Sequence, residues 1–162
     1  MKSKKLLSIL LASALVAGFV TFNACNDDPD YAEEGKKAAQ EWCDCLNNAQ
    51  NETAKDACFS IIENKYASYL DINAFKNAYY QGIESCDRIL AYLGTRAAQD
   101  LCECFAGTVD DEGKWACVFG LQATIYGNFM EDETFGEAFT IKLMAACPDV
   151  LAWLYENGFG GE

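Results

Sequence analysis

Residues 38–46, AAQEWCDCL, return 59 positions later as residues 97–105, AAQDLCECF, and each mismatch keeps the character of the residue it replaces. The agreement extends outward, because CDRILAYL at 86–93 matches CPDVLAWL at 147–154. Eight of the nine cysteines fall in register once two single-residue insertions are allowed. Self-similarity of this kind is typical of repeated structural units, so the sequence predicts a tandem duplication.

Each copy shows the spacing of amphipathic helices, in which apolar residues recur every three or four positions. The chain has only 2 prolines and no alternating apolar and polar runs, which leaves little room for a sheet. We therefore expect an all-α fold, in which a disulfide-stapled repeat of three to four helices is duplicated to form a helical bundle. The two clearest stripes of the first copy are Ala38, Trp42, Cys45, Leu46 and Ala49, and Phe75, Tyr79, Ile83, Cys86, Leu90 and Leu93.

Residues that favour helix ends suggest the limits of these helices. Asn51 and Asp71 are predicted to cap the second and third helices of the first copy, since their side chains accept bonds from free backbone N–H groups. Gly94 is predicted to end the last helix of that copy, and Thr95 to cap the next. Pro148 is predicted to begin a helix, because proline suits the first helical position.

These signals divide the chain into five segments. They are a signal peptide at 1–24, an acidic tether at 25–32, a first helical repeat at 33–94, a second at 95–157 and a flexible tail at 158–162.

Helix geometry suggests a disulfide pairing for the eight repeated cysteines. Cys45 and Cys58 are symmetric about the turn predicted near residue 51, so they would face each other on an antiparallel helix pair. Cys43 lies about 200° around the helix from Cys45 and should therefore meet a different neighbour. The predicted pairs are Cys45–Cys58, Cys43–Cys86, Cys104–Cys117 and Cys102–Cys147.

Two other uses of the cysteines remain open at this stage. Thiolates at C-x-C spacing can bind zinc or copper(I), although structural zinc sites more often use C-x₂-C and the chain contains no histidine. Redox catalysis is disfavoured, because a thioredoxin-like C-x-x-C motif is absent.

The N-terminus has the features of an export signal. Lys2, Lys4 and Lys5 precede an apolar stretch at 6–20, which is shorter than the roughly 20 residues of a membrane-spanning helix. A short apolar segment behind a positive start is typical of a signal peptide. Export also permits disulfide bonds to form.

The segment Phe22-Asn23-Ala24-Cys25 resembles the lipobox of bacterial lipoproteins, in its relaxed Bacteroidota form, since Phe22 and Asn23 replace the usual residues. The resemblance implies that the thiol of Cys25 receives a diacylglycerol, that the signal is cut before it, and that the new N-terminus is acylated, for instance with palmitate. The acidic residues Asp27, Asp28 and Asp30 resemble a signal for transfer to the cell surface. The expected location is the outer membrane or cell surface, with the membrane as a partner through the lipid on Cys25.

The charge of the chain excludes one class of partner. Its formal net charge is −13, and removal of the three signal-peptide lysines leaves a still more acidic mature chain. Such a surface repels phosphates, so we expect no nucleic-acid binding.

No catalytic motif is present. The lack of histidine excludes catalysis by Ser-His-Asp, Cys-His or a histidine-bound metal. Acidic groups at 33–34, 110–112 and 131–133 are interpreted as helix N-terminal residues, since carboxylates favour the positive end of the helix dipole. We expect no enzyme activity and no cofactor.

Trp115 is the candidate interaction residue, because the other copy has the polar Asp56 at the same place. A position that tolerates both residues suggests a partly exposed ring, and exposed aromatics often mark interfaces. We hypothesise an exported, lipid-anchored structural or interaction protein, a rigid acidic scaffold with an unidentified protein or glycan partner. The alternative is a thiolate metal-binding lipoprotein. The duplicated cysteine pattern resembles that of uncharacterised cysteine-rich helical lipoproteins, which implies no activity.

Overall fold

A computed structural model describes residues 29–159, and the chain forms seven α-helices in this range. No strand occurs between these limits, so the predicted all-α fold is confirmed. Two short 3₁₀ helices, Ala67–Tyr69 and Ile125–Asn128, follow the second and fifth α-helices. The α-helices are α1 (Tyr31–Asn48), α2 (Glu52–Tyr66), α3 (Asn73–Glu84), α4 (Asp87–Ala106), α5 (Asp111–Gln122), α6 (Glu133–Ala146) and α7 (Pro148–Glu156).

The helices form two halves with the same order of contacts. In the first half (residues 31–93), α1 packs along α3 and is flanked by α2. In the second half (residues 94–159), α4 packs along α6 and is flanked by α5, while α7 packs on α6. Helix α4 is shared, because its first two turns match α7 in sequence and the remainder matches α1. One continuous apolar core runs through both halves.

Gly94 and Thr95 do not separate two helices, contrary to the sequence prediction, because α4 continues through both. Gly94 is buried, and a Cβ atom there would overlap the backbone oxygen of Phe135 on α6. Gly35 has the same relation to Phe75 in the first half. The glycine therefore allows two helices to approach closely instead of ending one. The predicted segment boundary at 94/95 lies inside a helix.

The other predicted helix ends give mixed results. Asn51 caps α2, as predicted, and accepts a bond from the backbone N–H of Ala54 at 2.9 Å. Pro148 is the first residue of α7, also as predicted. The prediction for Asp71 is wrong, since α3 begins at Asn73 and its cap position holds Ile72, whose side chain has no acceptor.

The predicted acidic tether and the predicted flexible tail each include residues that belong to ordered helix ends. Helix α1 begins at Tyr31 and is capped by Asp30, so residues 30–32 belong to the helical domain instead of the tether. Gly158 adopts a φ of 87°, and the backbone N–H of Phe159 bonds to the oxygen of Leu154 at 2.8 Å. This is a Schellman ending, which orders the first two residues of the predicted tail. The signal peptide, Cys25 and residues 160–162 lie outside the described residues.

Candidate functional site

Four disulfide bonds clamp the long helix of each half on two sides. The paired Cα atoms are 5.8 to 6.2 Å apart, which is an ordinary Cα separation for a disulfide bond. In each half one bond joins the first two helices across their turn, and the other joins the first helix to the start of the last. The pairs are those predicted from helix geometry, namely Cys43–Cys86, Cys45–Cys58, Cys102–Cys147 and Cys104–Cys117.

These bonds occupy every cysteine sulfur between residues 29 and 159. In the same range, no group of three or more histidine, cysteine, aspartate or glutamate side chains is arranged to hold a metal ion. No helix that the structure describes is both long enough and apolar enough to cross a bilayer. The frame therefore consists of helices joined by covalent sulfur bonds.

Two of the predicted acidic groups each supply a helix cap, Asp110 for α5 and Asp132 for α6. Asp110 accepts a bond from the backbone N–H of Gly113 at 2.8 Å, and Asp132 accepts one from Phe135 at 3.0 Å. Asp111 accepts a bond from the indole N–H of Trp153 at 3.0 Å, and this bond, with a second from Lys114, lowers the pKa of its carboxyl group. All three carboxylates therefore have structural roles at the N-termini of helices.

A pair of tyrosine–carboxylate hydrogen bonds recurs in the two halves. The hydroxyl of Tyr66 donates to Glu41 at 3.2 Å, and that of Tyr126 donates to Asp100 at 2.8 Å. Glu41 also receives Lys65, and the hydrogen bond from this lysine lowers the pKa of Glu41. In the second half Ile125 takes the place of Lys65 in the repeat, so Asp100 has no lysine partner at this position.

A polar cluster marks the junction of the halves. The guanidinium of Arg96, on α4, lies 3.6 Å from Asp56 and 3.9 Å from Asp100. Asp56 also accepts a bond of 2.9 Å from the hydroxyl of Tyr92, whose pKa is raised, chiefly by burial. The side chain of Arg96 is 38 % exposed, so solvent screens these ion pairs and their contribution to stability is small.

Trp115 belongs to an aromatic cluster of the second half, composed of Trp115, Phe119, Trp153 and Phe159. The ring of Trp115 is half-buried and lies 5.3 Å from Trp153, 5.6 Å from Phe119 and 5.3 Å from Phe159. Phe119 is 58 % exposed. The cluster thus has one ring open to solvent and others that hold it in place.

The first half has polar residues at two of these positions. Asp56 stands where the second half has Trp115, and Ser60 where it has Phe119. Large exposed apolar side chains are also unevenly distributed, since the first half has two and the second half five. The latter are Val109, Phe119, Ile141, Met144 and Tyr155. The exposed apolar surface is therefore concentrated in the second half.

An apolar cavity of about 270 Å³, the second-half pocket, lies between α4, α5, α6 and α7 and opens to solvent. Its walls include the side chains of Leu101, Val118, Phe135, Phe139, Leu151 and Leu154. Phe159 of the aromatic cluster also lines it, so the two features adjoin. Sequence reasoning did not find this pocket, because its wall residues follow the apolar stripe of an ordinary core.

The equivalent place in the first half, the first-half pocket, is smaller, at about 200 Å³. Trp42 stands there at the position of Leu101, and its ring is fully buried, 5.3 Å from Phe59 and 6.2 Å from Tyr79. Phe59 itself corresponds to the smaller Val118. A residue-by-residue size comparison of the two copies would have indicated the difference.

Comparison with family models, with curated proteins and with solved structures finds no match to this chain.

Proposed function

We propose that the chain is an exported, lipid-anchored interaction protein of the cell envelope, whose disulfide frame presents an aromatic recognition face in its second half. The observation that carries the proposal is the difference between two copies of one framework. Trp115 and Phe119 replace Asp56 and Ser60, and Phe119 is left open to solvent. Exposed aromatic rings on a rigid support are typical of binding surfaces.

The cysteine count supports export and anchoring. Eight of nine cysteines are disulfide-bonded, and the remaining one is Cys25, which is separated from the apolar segment at 6–20 by residues 21–24. Disulfides are typical of proteins that leave the reducing cytosol. Two or more acyl chains at Cys25 would hold the domain on the outer membrane or cell surface, whereas one alone gives marginal binding.

The partner that fits this face is a protein or a glycan. Aromatic rings pack on the apolar surfaces of both, whereas the acidic remainder of the chain repels phosphate-rich polymers. The proposed role is non-catalytic, since the chain contains no histidine and the carboxylates of Asp110 and Asp132 are used as helix caps.

Anchoring is tested by expressing the full chain in a Gram-negative host fed with alkyne-labelled palmitate. The wild-type chain should take up the label and sediment with membranes. The Cys25→Ala variant should lose the label and appear in the soluble envelope fraction. Labelling that persists in Cys25→Ala would contradict the assignment of the anchor.

The recognition face is tested on the lipid-free Cys25→Ala background, so that the anchor does not mask binding. We expect the domain to bind isolated cell-envelope fragments, and Trp115→Asp with Phe119→Ser to weaken binding about tenfold or more. The matched control is Asp56→Asn with Ser60→Ala in the first half, which should bind as the parent does. Equal binding by all three proteins would contradict the proposal.

A further inference from the structure

We propose that the second-half pocket is a binding site for an uncharged, apolar small molecule of about the size of a bicyclic aromatic ring. The inference does not depend on the lipid anchor or on the partner of the aromatic face. It follows from the size of the pocket, from what fills the same place in the first half, and from the chemistry of its walls.

The volume limits the size of the ligand. The pocket measures about 270 Å³. An apolar cavity of about 150 Å³ is enough to bind benzene, whereas pockets for drug-sized molecules begin at roughly 300 Å³. A ligand larger than one benzene ring and smaller than a typical drug therefore fits.

The first half shows what chemistry occupies this place. There the indole ring of Trp42 is fully buried and packs on Phe59, Tyr79 and Tyr92. In the second half the smaller Leu101 and Val118 stand at the positions of Trp42 and Phe59. Smaller side chains on the same covalent frame leave space that apolar groups fill favourably. A free aromatic ring can thus take the place that a side chain takes in the other half.

The residues at the edge of the pocket indicate the charge of the ligand. Gly136 and Thr140 line it, where the first half has the bulkier Lys76 and Tyr80. Gln122, Thr140 and Tyr155 supply neutral polar groups at the mouth, and no described residue of the wall carries a charge. An ionised ligand would lose its hydration there without a charged partner, which is costly. The ligand is therefore neutral, with at most a hydroxyl or N–H directed to the mouth.

A second copy of the chain is a poorer occupant. Ile125 of the second half lines the first-half pocket, so one half contributes a side chain to the pocket of the half before it. A second molecule stacked in the same way would offer Lys65, the repeat equivalent of Ile125. Burying a lysine against an apolar wall without a partner is unfavourable.

The test is isothermal titration calorimetry of the full mature domain, disulfides intact, with indole and with 2-naphthol up to about 1 mM. We expect saturable binding of one molecule per chain. The Gly136→Leu variant should weaken it at least about tenfold, because the new side chain enters the pocket. The matched control is Gly120→Leu on α5, since a Cβ at either glycine meets no atom within 4 Å. The control should bind as the wild type does.

A second variant tests the buried wall of the pocket instead of its edge. Leu101→Trp introduces the first-half residue and should weaken binding at least about tenfold, because the indole ring takes up part of the pocket, while the far-ultraviolet circular dichroism spectrum stays unchanged. Intermolecular nuclear Overhauser effects from the bound ring to the methyl groups of Val118 and Leu151 should locate the ligand. Absence of saturable binding to the wild type, or equal affinity in Gly136→Leu and Gly120→Leu, would overturn the proposal. A concentration-dependent dimer that indole does not dissociate would also overturn it and assign the pocket to a second copy.

Discussion

The two halves of the molecule share a frame and differ in what fills it. Each half has a long helix, a flanking helix and a packed partner helix, with disulfides at repeat-equivalent positions. In the first half a buried tryptophan is surrounded by other aromatic rings and the pocket measures about 200 Å³, whereas the second half has a larger pocket of about 270 Å³ and aromatic rings at its surface. The comparison shows that a covalent frame allows the interior to change without loss of the fold.

Energetics explain why the frame tolerates this divergence. Bonds that close 13-residue and 43- to 45-residue loops contribute about 3 and about 4 kcal/mol each in the chain-entropy model. Two such bonds per half are comparable with the whole net stability of a typical domain. The second half therefore remains folded although its interior is only partly filled, because the disulfide bonds offset the stability that the pocket costs.

The largest effect should come from removing the long disulfides. Serine at both Cys43 and Cys86, or at both Cys102 and Cys147, should lower the free energy of unfolding by about 4 kcal/mol. Denaturation in urea, followed by circular dichroism, measures the loss. A loss below about 1 kcal/mol in both variants would show that packing, and not the sulfur bonds, holds the halves.

Trp42→Leu gives the first half the residue that the second half has at this position, and tests how far the buried indole ring stabilises the first half. The substitution removes a fully buried ring and leaves a cavity, so the free energy of unfolding should fall by about 3 kcal/mol. The cost is reduced slightly because the indole N–H of Trp42 is buried without an acceptor in the described structure. The same urea experiment measures it, and an unchanged midpoint would mean that the two fillings are energetically equivalent.

The helix crossings at Gly35 and Gly94 should respond alike if the halves pack in the same way. Gly94→Ala places a Cβ against the backbone of Phe135, and the free energy of unfolding should fall by about 1 to 3 kcal/mol. Gly35→Ala should give a similar loss for the same reason. The control Gly120→Ala, in open space, should instead raise stability by up to about 1 kcal/mol. Thermal unfolding measures all three, and equal signs would contradict the close crossing.

The smallest effect concerns the ion pair between Lys65 and Glu41 in the first half. The hydrogen bond from Lys65 lowers the pKa of Glu41 in the folded state. The stabilisation is therefore present above the ordinary glutamate pKa and is lost as the pH falls through the lower folded value. Glu41→Gln and Lys65→Met should flatten the pH dependence of the unfolding midpoint in acid by the same small amount, because the pair is solvent-screened. Unchanged pH profiles would show that the pair is not formed in solution.

Much of the fold could be predicted because it depends on local spacing. Helices follow from apolar periodicity, and the pairing of Cys45 with Cys58 follows from their symmetry about a turn capped by Asn51. The prediction failed at Gly94, where glycine is a common helix terminator but here serves a helix crossing with Phe135. Local propensity cannot distinguish these two uses, because the difference lies in a neighbour 41 positions away.

The candidate site was only partly accessible from the sequence. The contrast between Trp115 and Asp56 correctly indicated a partly exposed ring, but its contacts with Trp153 and Phe159 depend on how α7 returns to α5. The adjoining second-half pocket was not predicted, since Leu101 and Val118 look like ordinary core residues in the sequence. Their place in a pocket wall depends on the helices packed around them. Whether a smaller side chain leaves a cavity depends on whether the surrounding side chains fill the space, and no single sequence position shows this.

The sequence by itself determined the helical class, the internal repeat pattern and the disulfide pairs, because helix periodicity fixes which side of a helix each cysteine occupies and the repeat shows the same spacing twice. Only the tertiary structure decided that α4 is continuous, that Ile125 lines the first-half pocket, and that the second-half pocket is the larger of the two. The physical reason is that packing depends on the volumes of side chains brought together from distant parts of the chain.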